Sequence, residues 1–444
     1  MTEPSDSLDR ALDATLDWLW AGDPLADAAV AEKARLLLLD TLGCAIAGLR
    51  QPELAALAAG MGRSDPGRVR WPGLAAPLSP MAAASVLAIA ACWDEACEGL
   101  ARAHGRPGLH ALPPALALGL AQDRTLGDVL RALVRGYEIG GRLGAALRIK
   151  PGMHVDGTWG LIGASVATAA LLGGRDMARA ALNAAACQVP QGLYRPVRAG
   201  TTARNTYVGH AAATAIYLAQ AVAAGVTAPM GAVGDWWRIA LGGEGEPPAL
   251  IAPGEWLVLQ GYLKLYAAVQ HVHYGARAAA DWHRRFGGAT QRIEALELAI
   301  YPEAITYCGN RAPAAVIQAQ FSLSHGVAHG LRHGDLGIDA FTPAAIADPE
   351  TRRLEALVQL VPEEMLAKDG VRGGAHLTVS VAGGAETIGV TQIPGGPGQP
   401  LTAEEARGKF LRYTAPQLGE GAAVALADRI LGATFDDGMR AVVG

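Results

Sequence analysis

The most informative pattern in this chain is an apolar segment made largely of small residues. Residues 159–172 contain no charged side chain, and glycine, alanine and serine supply half of the positions. Glycine and proline interrupt regular structure between 150 and 157, and Gly173-Gly174 end the segment. The pattern predicts a helix that is buried on most sides and lets neighbouring backbones approach closely. His154 lies just before this helix and is a candidate site residue, although a loop histidine is more often structural.

Similar alanine- and leucine-rich runs predict a succession of helices toward both ends of the chain. Their ranges are 7–62 (two or three helices), 81–92, 111–122, 125–148, 175–190, 205–225 and 403–444. Loops are predicted at 63–80, 102–110 and 195–204. Thr402 and Glu405 have the spacing of a capping box, so Thr402 is predicted to cap the last helical segment.

The pattern changes after a glycine- and proline-containing stretch at 226–256. Segments 292–301 and 376–391 alternate polar and apolar residues, are rich in β-branched side chains, and predict strands. The remaining apolar segments of this part predict helices at 268–285, 312–332 and 342–347. A second glycine- and proline-rich run at 395–402 ends the region. We therefore expect an α+β region between two helical ends, with the last segment returning to the first helices.

Composition adds the expectation of a large core. Hydrophobic residues make up 51% of the chain and charged residues 18%, which argues against disorder, while the aromatic content of 5% favours closely packed helices over a β-sandwich. The net charge of −5 offers no basic surface to nucleic acid. The N-terminus lacks a signal-peptide pattern, and no run has the apolar strength of a membrane span. A cytoplasmic protein with no nucleic-acid or membrane partner is predicted.

The cysteines and a histidine series allow alternative interpretations. The five cysteines are scattered without a Cys-x-x-Cys pair, which fits a reducing compartment and argues against a structural zinc site. Cys92 is either a nucleophile or, more often for such a residue, a buried inert thiol. His325, His329 and His333 are spaced by four, which is typical of a metal-binding face or of an ordinary amphipathic helix. The second interpretation is favoured because no carboxylate accompanies them.

Polar side chains concentrate where the helices are interrupted. An acidic cluster at the end of the helix predicted over 81–92 contains Asp94, Glu95 and Glu98. The loop after it contains His104, Arg106 and His110, and the loop at 195–204 is rich in cations. Each of these groups either lines a site or is a solvated surface.

Seven weak motifs occur in a distinctive order along nearly the whole chain. They lie at 39–48, 136–142, 154–173, 209–212 with 223–227, 264–273, 320–323 and 400–410. Together they resemble the 2-methylcitrate dehydratase family (the MmgE/PrpD superfamily), which also contains cis-aconitate decarboxylase and iminodisuccinate epimerase. The resemblance implies a mainly α protein, with a large all-α domain built from residues 1–255 and 400–444 and a smaller α+β lid domain over 256–399. It also implies a cleft active site, a homodimer, and catalysis without metal or other cofactor.

When the family's site residues are matched position by position to this sequence, only some of them are present. His154 and His273 match, and Lys264 stands nine residues before His273. Five positions differ. Cys92 stands where the family has the leading aspartate of an acidic motif, and Arg106 stands where it has a histidine before proline. Arg204 replaces a lysine, Tyr207 replaces a histidine, and His325 replaces a tyrosine. His104, close to Arg106, is the remaining histidine of that loop. The resemblance implies His154, His273, Asp94 and His325 as catalytic candidates, and Arg106, Arg204, Lys264, His104 and Tyr207 as substrate-binding candidates.

The residue types agree with proton-transfer chemistry on a small carboxylate substrate. Histidine supplies a base whose ordinary pKa lies near neutral pH, and arginine or lysine binds carboxylate and stabilises enediolate-like charge. We therefore expect a cofactor-independent lyase or isomerase (dehydration, decarboxylation, epimerisation or cyclisation), with a substrate other than 2-methylcitrate. Because several family positions are replaced, a catalytically silent binding or scaffold protein is the alternative. A cleft filled with side chains would favour that alternative, whereas convergence of His154, His273 and His325 would favour catalysis.

Overall fold

The computed structural model describes residues 5–366 and 373–444, and it is mostly helical with one small mixed sheet. The first part of the chain forms helices α1 (Ser5–Ala21), α2 (Ala28–Gly48), α3 (Pro52–Ser64), α4 (Pro80–Trp93), α5 (Pro107–Gln122), α6 (Leu126–Ala146), α7 (Gly160–Leu172), α8 (Arg175–Ala186), α9 (Arg195–Ala199), α10 (Thr206–Ala223) and α11 (Ala232–Ile239), with a short strand β1 (Pro66–Val69). The mainly helical prediction is thus confirmed. Helix α5 begins earlier than predicted because Pro107 occupies its first turn, where proline's fixed φ suits a helix.

The middle of the chain contains the sheet. Its helices are α12 (Gln270–Phe286), α13 (Pro302–Cys308), α14 (Val316–Gln320), α15 (Leu323–His333), α16 (Pro343–Ala347) and α17 (Pro349–Leu357), and its strands are β2 (Ile293–Ile300), β3 (Val358–Pro362), β4 (Ala375–Val381) and β5 (Gly384–Val390). The strand order is β3-β2-β4-β5, with β2 and β3 parallel and the other pairs antiparallel. All four strands lie within the predicted region 256–399, while the bounds of a separate lid domain stay a prediction.

Two predictions for this region were too coarse. The segment 376–391 is a hairpin rather than one strand, because Gly383 takes a left-handed φ of 98° in a tight turn while the alternation continues on both sides. The segment 312–332 contains two helices, since the Ser322 side chain accepts a hydrogen bond from the His325 N–H (3.2 Å) and caps a new helix there.

Helix α7 is the buried helix that the small-residue pattern predicted. It packs against α5, α6, α8 and α10, and most of its residues have no exposed surface. At its crossing with α6, a Cβ atom added to Gly163 would lie 2.7 Å from the Gly136 carbonyl oxygen. The two backbones therefore touch, and the start of α7 is fixed relative to α6.

Replacement of Gly163 by valine is expected to lower the free energy of unfolding by about 3 kcal/mol, because backbone atoms cannot move aside for the new side chain. Urea denaturation followed by circular dichroism measures the change. Gly174→Ala is the control, since nothing lies within 4 Å of a Cβ added there. Equal stability of the two variants would contradict a close α6–α7 crossing.

The C-terminal part forms α18 (Ala403–Leu418), α19 (Glu420–Gly432) and α20 (Met439–Val443), and α18 packs on α2. The predicted capping box of Thr402 and Glu405 is confirmed at the start of α18. Lys409 on α18 forms a buried ion pair with Asp40 on α2 (2.5 Å) and donates a hydrogen bond to the Ala96 carbonyl (2.6 Å). The end of the chain therefore contacts its beginning beside residues 94–98. Among the helices described, none has both the length and the apolar character needed to cross a membrane.

Candidate active site

A cavity of about 450 Å³ lies where the segment after α4, the segment before α7 and the start of α12 meet. Its charged lining residues are Glu95, Arg106, Arg148, Asp156, Arg204, Lys264 and Glu303. Its histidines are His104, His154 and His271, and its aromatic lining residues include Trp159, Tyr194, Tyr262, Tyr307 and Phe321. The cavity therefore combines a charged group with an aromatic wall.

Glu95 stands at the centre of the charged group. Its carboxylate forms ion pairs with Arg106 (3.1 Å), Arg204 and Lys264 (3.0 Å), and its backbone carbonyl accepts a hydrogen bond from Lys264 Nζ (2.8 Å). Burial raises the pKa of the Glu95 carboxyl, but the three cations outweigh burial and hold that pKa below its usual value. Glu95 is therefore ionised at neutral pH.

Asp156 supplies a second carboxylate to the same cations. Its Oδ2 atom pairs with Arg106 and, at 3.1 Å, with Arg204. Burial raises the pKa of Asp156, but Arg106 and then Arg204 outweigh it and hold the pKa well below the usual value. Three cationic side chains thus share two carboxylates, which leaves one excess positive charge in a buried cluster.

The cations differ in the donors that they leave free. Each nitrogen of Arg204 faces a protein acceptor, the acceptors being His154 Nε2 (3.1 Å), Cys92 Sγ (3.3 Å), Asn205 Oδ1 (3.0 Å) and Glu95. Arg106 Nε has no acceptor among the residues described, and the acceptors of Lys264 Nζ are two oxygens of Glu95. Free donors are therefore found on Arg106 and Lys264, and the predicted carboxylate-binding role of Arg204 finds no support in this geometry.

Asp94 and Glu95 point in different directions. Glu95 has a left-handed φ of 52° just after α4, and its side chain lines the cavity. Asp94 instead forms a two-point ion pair with Arg50 (2.5 and 2.9 Å) outside the cavity lining. The catalytic role of Asp94 stays a prediction, and the acidic residue of this motif that lines the cavity is Glu95.

His154 is buried, and an N–H group faces each of its two ring nitrogens. Arg204 Nε–H donates to Nε2 (3.1 Å), and the backbone N–H of Asp156 points at Nδ1 (3.2 Å). Burial, followed by Arg204, lowers the pKa of His154 to about 3, so the ring is neutral. A neutral imidazole has one lone pair, and the charge-assisted bond from arginine takes it at Nε2. Tyr194 stacks on the ring, with centroids 5.7 Å apart.

His271 is the second buried histidine of the cavity. Its Nδ1 atom shares a hydrogen bond with the Tyr301 hydroxyl (2.7 Å), and its ring stacks on Tyr307 at 6.1 Å. Its Nε2 atom makes no hydrogen bond with any residue described. Burial, followed by Lys264, lowers the pKa of His271 to about 4. His271 therefore offers a neutral imidazole with an unpartnered nitrogen to the cavity.

Two family models match this chain over most of its length. The MmgE/PrpD N-terminal domain matches residues 21–239, and the MmgE/PrpD C-terminal domain matches residues 266–432. The chain belongs to the MmgE/PrpD family. The family is in general enzymatic, of the dehydratase or lyase type. No curated protein matches this MmgE/PrpD chain significantly.

In this MmgE/PrpD protein, His273 is turned away from the cavity that His271 lines. Residues two apart on a helix lie on nearly opposite faces, and both histidines lie in the first turn of α12. His273 Nε2 donates a hydrogen bond to the Ala268 carbonyl (2.9 Å), and its ring packs edge-on against Tyr266. The site role of His273 stays a prediction, and the histidine of this segment that lines the cavity is His271.

Two other predicted residues lie outside the cavity lining. His325 is fully buried in α15, where Nδ1 bonds to Glu355 (2.7 Å) and Nε2 to the Ala340 carbonyl (2.9 Å). Tyr207 donates its hydroxyl hydrogen bond to the Leu193 carbonyl (3.1 Å). The polar atoms of both are paired with protein groups, while the Tyr207 ring lies 6.2 Å from the ring of His154, and their site roles stay predictions. The expected convergence of His154, His273 and His325 does not occur.

His104 lies in the cavity lining as predicted. Its Nδ1 atom lies 3.4 Å from Glu303 Oε1, and about a quarter of its side chain is exposed. Burial raises the pKa of Glu303, and Arg148 opposes that rise. His104, Glu303 and Arg148 thus form a mixed-charge group that is less buried than the Glu95 cluster.

The charged group also leaves little room for a metal ion. Ligand atoms of Cys92, Glu95 and Asp156 lie within 4.8 Å of one another, but Arg106 and Arg204 already contact all three. A metal ion would have to displace both guanidinium groups. Burial raises the pKa of the Cys92 thiol, which agrees with a protonated, inert thiol rather than a nucleophile. In the described part of the chain, His325, His329 and His333 form no metal-ligand group.

Proposed function

We propose that this protein is a cofactor-independent lyase or isomerase that removes a proton next to the carboxylate or carbonyl of a small acid. The observation that carries the proposal is the unpartnered Nε2 of neutral His271 in a cavity with one excess positive charge. A neutral imidazole accepts a proton, and an adjacent cation stabilises the negative charge that then develops on the substrate.

In this proposal His271 is the base. We assign His271 the tautomer in which Nδ1–H donates to the Tyr301 oxygen, so that its lone pair lies on Nε2, the nitrogen without a partner among the residues described. Lys264 and Arg106 Nε hold the carboxylate and stabilise its enediolate form. Lys264 is itself fixed by two oxygens of Glu95, so little reorganisation accompanies charge development.

Tyr262 is the proposed proton donor. Tyr262 lines the cavity, and its hydroxyl, which lies against Gly99, makes no hydrogen bond with the residues described. Burial raises the pKa of Tyr262 well above its usual value, so the hydroxyl keeps its proton at neutral pH. Donation to a leaving oxygen gives dehydration, and donation to carbon gives epimerisation. In decarboxylation the bond between carbon and a carboxylate breaks, carbon dioxide leaves, and Tyr262 protonates the carbanion that remains. In cyclisation the carbanion formed by His271 attacks an electrophilic carbon of the same molecule, and Tyr262 protonates the atom that receives the displaced electron pair.

His154 and Arg204 are positioning residues in this scheme. Arg204 occupies the lone pair of His154 and binds both carboxylates of the cluster, so it orients Glu95 and through it Lys264. The alternative of a silent scaffold protein is less well supported, because the cavity is open rather than filled with side chains.

Proton abstraction is tested directly by incubation of the protein in D₂O with citrate, cis-aconitate, 3-phenylpropionate and 3-hydroxy-3-phenylpropionate. Mass spectrometry then detects deuterium uptake, loss of water or loss of carbon dioxide. Enzyme-dependent deuterium uptake or product formation with any acid is expected. Absence of every change, with acids that binding measurements show to occupy the cavity, would contradict the proposal and favour the scaffold alternative.

The pH dependence should also identify the base. A histidine with a lowered pKa is unprotonated above that pKa, so kcat/KM is expected to stay level from pH 8 down to pH 5 and to fall toward pH 4 as His271 gains a proton. Initial rates in buffers of constant ionic strength measure this. An acid limb near 6.5, the ordinary histidine pKa, would contradict His271 as the base.

A further inference from the structure

We propose that the substrate carries a single carboxylate on an apolar body of aromatic size, an assignment that rests on the proposed proton-transfer function. Four cations and three carboxylates line the cavity, and its three histidines are counted as neutral. One excess positive charge therefore remains. Such a cavity balances one carboxylate and leaves a second without a counter-charge.

Within the Glu95 cluster, the free donors lead to the same number, and the fourth cation, Arg148, is placed near Glu303. Arg106 Nε and the remaining N–H of Lys264 are the cationic donors without an acceptor among the described residues of the Glu95 cluster. Two donors match the two oxygens of one carboxylate. Arg204 cannot serve another carboxylate without losing a bond to His154, Cys92, Asn205 or Glu95.

The rest of the cavity is built for an apolar group. Tyr194 lies 5.4 Å from Tyr307 and 6.3 Å from Phe321 between ring centroids, which forms a continuous aromatic wall. Leu147, Ile149 and Met153 add aliphatic surface. The volume of about 450 Å³ falls in the range of about 300–1,000 Å³ that is typical of pockets for drug-sized ligands, and a compact tricarboxylate would leave much of it to water.

Isothermal titration with matched acids tests the assignment. The probes are 3-phenylpropionate, phenylsuccinate, which adds one carboxylate to the same body, and citrate. We expect 3-phenylpropionate to bind the wild-type protein at least about tenfold more tightly than either other acid. Tighter binding of phenylsuccinate or citrate, or binding of none of the three, would overturn the proposal.

Glu95→Gln provides the charge test. The variant raises the excess charge by one and releases donors on Lys264 and Arg106, so the preference for 3-phenylpropionate over phenylsuccinate should shrink by about tenfold or reverse. Glu386→Gln removes a carboxylate that pairs with Arg285 on the surface, and it should leave the preference unchanged. An unchanged preference in folded Glu95→Gln contradicts the proposal.

Lys264→Met keeps the proposal testable if Glu95→Gln does not fold. Because it removes the excess charge, it should weaken binding of 3-phenylpropionate by at least about tenfold. Unchanged affinity would overturn the assignment.

The proton-transfer function and the substrate class can fail separately. Selective binding of a monocarboxylate without deuterium uptake would contradict the catalytic function alone. Deuterium uptake into citrate without binding of 3-phenylpropionate would contradict the substrate class alone.

Discussion

His271→Ala is expected to lower kcat by about 10²- to 10⁴-fold, the range that general acid–base catalysis contributes. The variant removes the imidazole whose Nε2 faces the cavity without a protein partner, while Lys264 and Arg106 remain to bind the substrate carboxylate. KM should therefore change less than kcat. Rates are measured on whichever acid shows deuterium uptake. Added imidazole should restore part of the activity, because the vacated space is connected to the cavity.

The neighbouring histidine gives a matched comparison. His273→Ala removes a hydrogen bond to the Ala268 carbonyl and a ring packed on Tyr266, so its main effect should be a lower melting temperature. The folded fraction should keep kcat within about tenfold of the wild-type value. A larger kcat loss in His273→Ala than in His271→Ala would show that the base has been assigned to the wrong face of α12.

Lys409→Met is expected to lower the free energy of unfolding by about 3–5 kcal/mol, the usual effect of breaking one buried ion pair. The methionine retains apolar bulk but leaves Asp40 as a buried carboxylate without a cation and the Ala96 carbonyl without its donor. Asp40 Oδ2 already lacks a hydrogen-bond partner among the residues described, so loss of the lysine removes the hydrogen bond of the other oxygen as well. Urea denaturation measures the loss.

Helix α18 also supplies the control for this effect. Arg407 pairs with Asp428 at 2.9 Å, with side chains that are 32% and 57% exposed. Arg407→Met should change stability by less than about 1 kcal/mol, since water and salt screen such a pair. The double variant Lys409→Met with Asp40→Leu should recover much of the stability lost in the single variant. Equal losses for Lys409 and Arg407 would show that the buried pair adds no special stabilisation.

The helices that were predictable from the sequence are those specified by the local pattern of apolar and small residues. The small residues of α7 indicated close backbone contact, and the structure shows that contact at Gly136 and Gly163. Strand β3 was missed because it has five residues and follows α17 without a break, so its pairing with β2 defines it rather than its own composition. Elements that depend on distant partners are the ones local periodicity does not reveal.

In the cavity, too, some lining residues could be predicted from local motifs, whereas others depend on residues distant in sequence. His154, Arg106 and Lys264, which motif order placed together, line the same cavity, and their roles stay predictions. Asp156 was missed because its importance arises from cations that are distant in sequence. His271 was missed although it stands two residues from His273. Its signal was the start of α12: a helix beginning at Gln270 places the two histidines on opposite faces, and the family motif alone favoured the one that points away.

The contact of Lys409 with Asp40 and Ala96 has a consequence for the order of synthesis. Glu95, Asp156 and Lys264 all leave the ribosome before Lys409 does, and until then Asp40 and the Ala96 carbonyl have no cation to bind. The segment that carries Glu95 therefore gains this last contact only when translation is nearly complete. A chain that terminated before α18 would lose more than a peripheral helix. The carbonyl of Ala96, the residue after Glu95, would lack the lysine that binds it.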